Sequence, residues 1–242
     1  MGDNHTDSAV EVRDLTRVFG VRKALDKISF DLPSGAFLSI FGPNGAGKTT
    51  LVNVLTTLTA PSSGTATVCG LDVVEGAVEL RSRIGLISHN PLLYPDLSAV
   101  ENLEFFADMY GIEEAEQRVR ELLCAVELDH RRLDLVRTFS RGMLQRLSIA
   151  RALLHKPDVL FLDEPYSGLD PHAMDIFDSL ISQIREDHTF VMISHDLAKG
   201  LELCSHALIL AKGRVVLSET RSEIDDAEFA ARYRSIVGIG VA

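Results

Sequence analysis

Residues 36–51 read AFLSIFGPNGAGKTTL, and the eight in the middle decide the fold. Gly42 to Thr49, GPNGAGKT, satisfies G-x-x-x-x-G-K-[ST] with an apolar strand leading in and a helical stretch, KTTLVNVLTTL, leading out. Glycines at these places let the backbone curl until its N–H groups face an anion, and the helix N-terminus adds its positive dipole end. The loop from Gly42 through Pro43, Asn44, Gly45, Ala46 and Gly47 to Lys48, Thr49 and Thr50 is therefore the candidate phosphate contact. Lys48 would reach the β- and γ-phosphates, and the Thr49 hydroxyl would sit on Mg²⁺. A plain glycine turn is the alternative, and the two correct flanks weigh against it.

Further along, VLFLDEP supplies a partner for that loop. Val159 to Leu162 make a buried strand that delivers Asp163 and Glu164 to its carboxyl end, where open parallel sheets bind ligands. Asp163 suits the Mg²⁺ shell, and Glu164 is placed to polarise a water for in-line attack on the γ-phosphate. Alone, an acidic turn after a strand is ordinary. Beside a phosphate loop it predicts a nucleotide hydrolase.

Composition agrees and excludes other classes. The 242 residues are 46% hydrophobic, enough for one sizeable core with an inserted subdomain. No apolar run reaches the ~18 to 20 residues of a membrane span, and the polar start MGDNHTDSAV is not a secretory signal. Gly2 and Thr6 fit a myristoylation pattern that is short and easily matched by chance. The scattered Cys69, Cys124 and Cys204 lack metal-ligand spacing and read as free thiols in a reducing compartment. A formal net charge of −11 argues against an extended nucleic-acid surface, so no nucleic-acid partner is expected.

Strand and helix signals alternate, which predicts an α/β fold. Strands are expected in AVEVRDLTRVF, KISFDL, AFLSIFG, TATVCGLDV, RIGLIS, DVLFLDEP and TFVMISH, with a hairpin in ALILAKGRVVLSE turning at Lys212 and Gly213. Between Pro91 and Lys156 the pattern turns helical. SAVENLEFFADMYG opens with Ser98 and Glu101 in capping-box spacing and ends at Gly111, EEAEQRVRELLCAVEL follows, and a third helix starts in FSRGMLQRLSIA and runs to Pro157. HAMDIFDSLISQIRED is a further expected helix.

The order GPNGAGKTT, SRGMLQR, LFLDEPYSGLD, ISHD resembles the nucleotide-binding domain of ATP-binding cassette (ABC) proteins, from about Val10 to Glu219. The resemblance implies a P-loop NTPase core with an antiparallel β subdomain and an inserted, mostly helical subdomain. The expected limits are one domain over 8–220, with core 8–90 and 157–220, helical subdomain 91–156 and a tail 221–242. It also implies a site completed across a head-to-tail dimer, in which Ser140 and Gly142 contact the γ-phosphate held by the other protomer. The usual LSGGQ is changed here: Phe139 stands for Leu, Arg141 for the first Gly and Met143 for Gln. Arg141 reads either as a solvated helix-end charge, the favoured view, or as an extra anion contact.

By the same resemblance Phe19 matches the aromatic that stacks on adenine, with a core position at a strand end as the alternative. Gly168, Leu169 and Asp170 match the loop crossing the dimer interface, and His195 the switch histidine near the γ-phosphate. The family's glutamine after the RIGLIS strand is missing; SHNP offers His89 in one alignment and Asn90, the preferred choice, in another, the latter also as a metal contact. ATP and Mg²⁺ are the implied cofactors. The implied partners are a second nucleotide-binding subunit, identical or sibling, and a separate transmembrane subunit docked near LLYPDLSAVENLEFF. The chain would then sit at the cytoplasmic face of the cell membrane as a peripheral protein. The combination of SHNP and SRGMLQRL is similar to exporter ATPases, including those for haem export in cytochrome c maturation. A soluble ABC-type ATPase of iron–sulfur cluster assembly is the alternative, with DNA-repair cassettes and adenylate-type kinases further behind.

Overall fold

Two sheets share one layer boundary in the computed structural model, which describes residues 8–88 and 90–238. The Gly2 pattern, His89 and the last residues of the tail lie outside the described residues. The first sheet holds β1 (Ser8–Phe19), β2 (Arg22–Pro33), β4 (Ser63–Val68) and β5 (Leu71–Asp72), antiparallel in the order β2-β1-β4-β5. The second contains β3 (Phe37–Phe41), β6 (Ile84–Ile87), β7 (Val159–Asp163), β8 (Thr189–Ile193), β9 (His206–Ala211) and β10 (Arg214–Thr220). Its order is β10-β9-β3-β8-β7-β6, parallel except for the β10 edge.

The central strands are buried at every residue because both faces are covered. Phe37 and Phe41 of β3, Leu160 and Leu162 of β7, and Phe190 and Met192 of β8 enter one core with the helices. Leu38 and Ile40, Val159 and Phe161, and Val191 and Ile193 enter the other, against the antiparallel sheet and helix α1 (Lys48–Leu55). The period of two thus divides the core between two layers.

Beyond the short α2 (Ala77–Leu80), the helical part comprises α3 (Ala99–Tyr110), α4 (Ala115–Ala125) and α5 (Arg141–Leu153). Ser98 accepts from the Glu101 N–H, Glu101 accepts from Ser98, and Gly111 closes α3 in the left-handed conformation, as the spacing predicts. α6 (Pro171–Ile184), α7 (Leu197–Leu203) and α8 (Asp226–Gly238) complete the chain.

Several expectations need correction. TATVCGLDV is not one strand: Cys69 and Gly70, both at positive φ, turn it into the β4–β5 hairpin. α1 stops at Leu55, where the Thr56 hydroxyl donates to Val52 O and Thr57 takes a positive φ. α5 ends at Leu153, short of Pro157. α7 was not anticipated, whereas the tail, readable as a capping helix or a partner contact, forms α8, which buries Phe229; the Phe229 ring meets that of Phe41 edge-on at 5.7 Å, with Tyr233 at 6.3 Å from Phe41.

Candidate active site

The carboxyl ends of three neighbouring strands converge. β3 runs into the loop 42–47, β7 ends on Asp163, and β8, between them, leads through Ser194 to His195. This is the crest at which parallel sheets present ligands.

Gly47 caps α1 at φ 107°, and a Cβ there would lie 2.5 Å from Ala24 O, so the loop hugs the antiparallel sheet only with glycine. Lys48 is buried and donates to Gly42 O (2.7 Å) and Pro43 O (3.2 Å), curling back over the loop it closes. Burial holds its ammonium below the ordinary lysine range, opposed by the charges of Glu164 and Asp163. A cleft of about 410 Å³ opens over this loop, lined by Phe19, Asn44, the backbone from Gly45 to Thr50, and Glu164. Phe19 is 48% exposed, with the Arg17 guanidinium 4.5 Å from its ring centroid. That exposure removes the core-residue alternative and leaves a ring face open for stacking. Arg22, also on the cleft wall, reaches Gly45 O at 3.4 Å.

Glu164 takes φ 55°, uncommon outside glycine, and its N–H donates to Ile193 O at 3.1 Å. Its Oε1 lies 2.7 Å from Nε2 of His195. The strained backbone thus turns the carboxylate toward the neighbouring strand's histidine. On the far side of this pair a second hollow of about 520 Å³ is bordered by Tyr166, Met174, Asp178 and Lys199. There Tyr166 Oη donates to Asp178 (2.6 Å), which also accepts from Lys199 (2.9 Å). A larger hollow of about 810 Å³ along residues 113–124 is walled by glutamates and is unsuited to phosphate.

Asp163 is 8% exposed at the end of β7, and Thr49 lies in the first turn of α1. Their carboxylate and hydroxyl oxygens match the hard donors Mg²⁺ prefers. No group of three or more His, Cys, Asp or Glu that could hold a metal occurs among the described residues.

Other anticipated residues lie elsewhere. Ser140 caps α5 by accepting from Met143 N (3.3 Å), Asp170 caps α6 by accepting from Ala173 N (2.9 Å), and neither they nor Gly142 line the cleft. Gly142 lies against Asp170, 3.3 Å from its Oδ2 to a built Cβ. Asn90 is exposed, off the cleft lining, and accepts from Leu92 N in a local turn. Sequence reasoning missed Arg17 and Arg22, which no motif marks.

Comparison with known proteins agrees with this geometry. Residues 25–167 match the family described as ABC transporter. The chain is 34% identical over 232 residues to Nod factor export ATP-binding protein I of Cupriavidus metallidurans, covering 95% of this chain and 77% of that one. It is 37% identical over 221 residues to a daunorubicin resistance ATP-binding protein of Streptomyces coeruleorubidus, covering 90% and 70%. In structure it resembles the dimeric post-hydrolysis state of the ATP-binding cassette MJ0796 bound to ADP and Pi, with a TM-score of 0.81, 26% identity and coverage of 88% and 98%. Phosphate loop, acidic strand end and histidine thus stand in a cassette shared with these proteins, and the chain belongs to the ABC transporter family as an ATP-binding, ATP-hydrolysing subunit.

Proposed function

We propose that this subunit drives export through a separate transmembrane subunit, at the cytoplasmic face of the membrane, by closing head to tail on a second nucleotide-binding subunit. One observation carries the two-chain reading. The cleft holds a stacking platform, a phosphate loop and Glu164, whereas Ser140, Gly142 and Asp170 lie off it in the same chain. An anion-binding helix start away from its own nucleotide is suited to the γ-phosphate of another.

In this reading Phe19 stacks on adenine, the N–H groups from Asn44 to Thr50 hold the phosphates, and Lys48 bridges to the γ-phosphate. Thr49, Asp163 and Asn90 would hold Mg²⁺, which neutralises phosphate charge when bound, and His89 is the other candidate for the glutamine's catalytic place. Glu164 polarises the attacking water and His195 holds the γ-phosphate. The new bond joins water oxygen to phosphorus, the bond to the bridging oxygen breaks, and ADP and inorganic phosphate leave.

The division into core 8–90 and 157–220 with helical subdomain 91–156 belongs to the same proposal. Its helical part exposes Tyr94, Phe105 and Met109, with Tyr94 and Phe105 edge-on at 5.0 Å, an apolar patch suited to a membrane subunit. Among the described residues no helix is long and apolar enough to cross a membrane. The names of relatives, Nod factor export and daunorubicin resistance, favour export over iron–sulfur assembly. Haem, suggested by the combination of SHNP and SRGMLQRL, is the finer cargo proposal.

The test is affinity recovery of the chain from its native membranes. Recovery of a multi-span protein, lost with Tyr94→Ala and Phe105→Ala together, is expected. Recovery of soluble partners alone would sink the exporter reading.

A further inference from the structure

We infer that Arg141 and Gln145 are positioning residues that staple the start of α5 to the loop carrying Glu164, so that phosphate contact at Ser140 fixes the hydrolytic carboxylate of the same chain. The inference rests on the two-chain reading above.

The two side chains are four residues apart, on one face of α5. Arg141 Nη2 donates to Ser167 O at 3.2 Å, and Gln145 Nε2 donates to Pro165 O at 3.2 Å. The guanidinium lies flat over Gly168, where φ is +74° and any Cβ would collide with it. Both acceptors belong to the turn that starts at Glu164, closed by Ser167 N–H donating to Glu164 O at 3.0 Å. The same turn is fixed on its far side by Tyr166 and Asp178. Segment 164–168 is thus gripped from two helices, and Glu164 moves with it.

This placement adds a contact to the solvated reading of Arg141: the residue is exposed, and one guanidinium nitrogen engages its own chain. Surface hydrogen bonds to carbonyl oxygen add little to stability, so these two have their effect on geometry. Ser140 and Gly142 begin the helix that Arg141 and Gln145 anchor. A partner's nucleotide seated there sets the position of this chain's Glu164, and misplacement of reacting groups by about 1 Å costs about 100-fold in rate.

The experiment uses the full chain with MgATP. It measures phosphate release for Arg141→Ala, Gln145→Ala, the double variant and Arg141→Lys, and dimerisation by light scattering in a Glu164→Gln background. The expected result is kcat lower by about 10- to 100-fold for Arg141→Ala and the double variant, with KM within about twofold. Arg141→Lys should regain part of the rate, melting temperatures should stay near wild type, and Glu164→Gln/Arg141→Ala should still dimerise. A kcat within about twofold of wild type in the double variant would overturn the staple. So would loss of dimerisation on Arg141→Ala, which would place Arg141 on the partner's phosphate. A large drop in melting temperature for both Arg141→Ala and Gln145→Ala would make the contacts structural and overturn it as well. A Glu164→Gln parent that stays monomeric in MgATP would instead overturn the two-chain reading, and the inference with it.

Discussion

Glu164 Oε1 and His195 Nε2 stand 2.7 Å apart, one at the end of β7 and the other just past the end of β8, which pairs beside it. The two groups proposed to act on water and γ-phosphate are thus within hydrogen-bond distance of each other.

Glu164→Gln should lower kcat by at least about 100-fold while leaving ATP affinity within about threefold. His195→Ala should cost about 10- to 100-fold. Phosphate release paired with equilibrium binding of a fluorescent ATP analogue checks both. Near-normal turnover in the glutamine variant would remove Glu164 as the base.

Lys48 gives a pH prediction. Burial lowers its proton affinity in the free protein, whereas bound phosphate favours the ammonium. As pH rises toward the ordinary lysine value of 10.5, the free protein loses this proton first. ATP binding should then take up a proton and weaken as pH climbs. Calorimetry in buffers of different ionisation heat measures the uptake, which Lys48→Met should abolish.

Phe19→Ala should raise KM for ATP about tenfold with kcat little changed, because only ring area for the base is lost. Phe19→Tyr should keep the affinity. Equal KM values for wild type and alanine variant would return Phe19 to a structural role.

Ser98→Ala removes the hydroxyl from a cap in which Ser98 is buried and paired both ways with Glu101. The cost should be about 1 to 2 kcal/mol. Urea unfolding would show it as a lower midpoint at unchanged slope, whereas an unchanged midpoint would mean the helix start is held by other contacts.

Thiol labelling should be selective. Cys124 is exposed, while burial pushes the Cys69 thiol up to about 11 and also raises Cys204. At pH 8 a thiol of that pKa holds roughly one thiolate in a thousand. Mass spectrometry after a short maleimide pulse should find one adduct, at Cys124.

What the sequence disclosed was whatever is contiguous. VLFLDEP and GPNGAGKT carry their strand, turn and ligand chemistry within eight residues, and the Ser98–Glu101 cap is local too. The CG turn in TATVCGLDV escaped because the apolar run continues through it and the residue at positive φ is a cysteine. α7 escaped because its cap, Asp196, sits inside the ISHD motif and the helix has only seven residues. The contacts of Arg141 with Ser167 and of Gln145 with Pro165 span 26 and 20 residues. No periodicity encodes such pairs, which exist only once α5 is laid against the loop after β7.

The strand order also governs how this protein is made. β3 lies between β8 and β9, so Phe37 pairs with Phe190 and Ile40 with Leu208, and Phe41 meets Phe229 of α8. On the ribosome the strand that feeds the nucleotide cleft therefore waits, with no sheet neighbour, for about 150 further residues to follow it, from Phe41 to Ile193. Such distant pairings are slow to close. The nascent chain gains its grip on ATP only after β8 and β9 have been made, and until then that apolar strand must be sheltered by something other than its own fold.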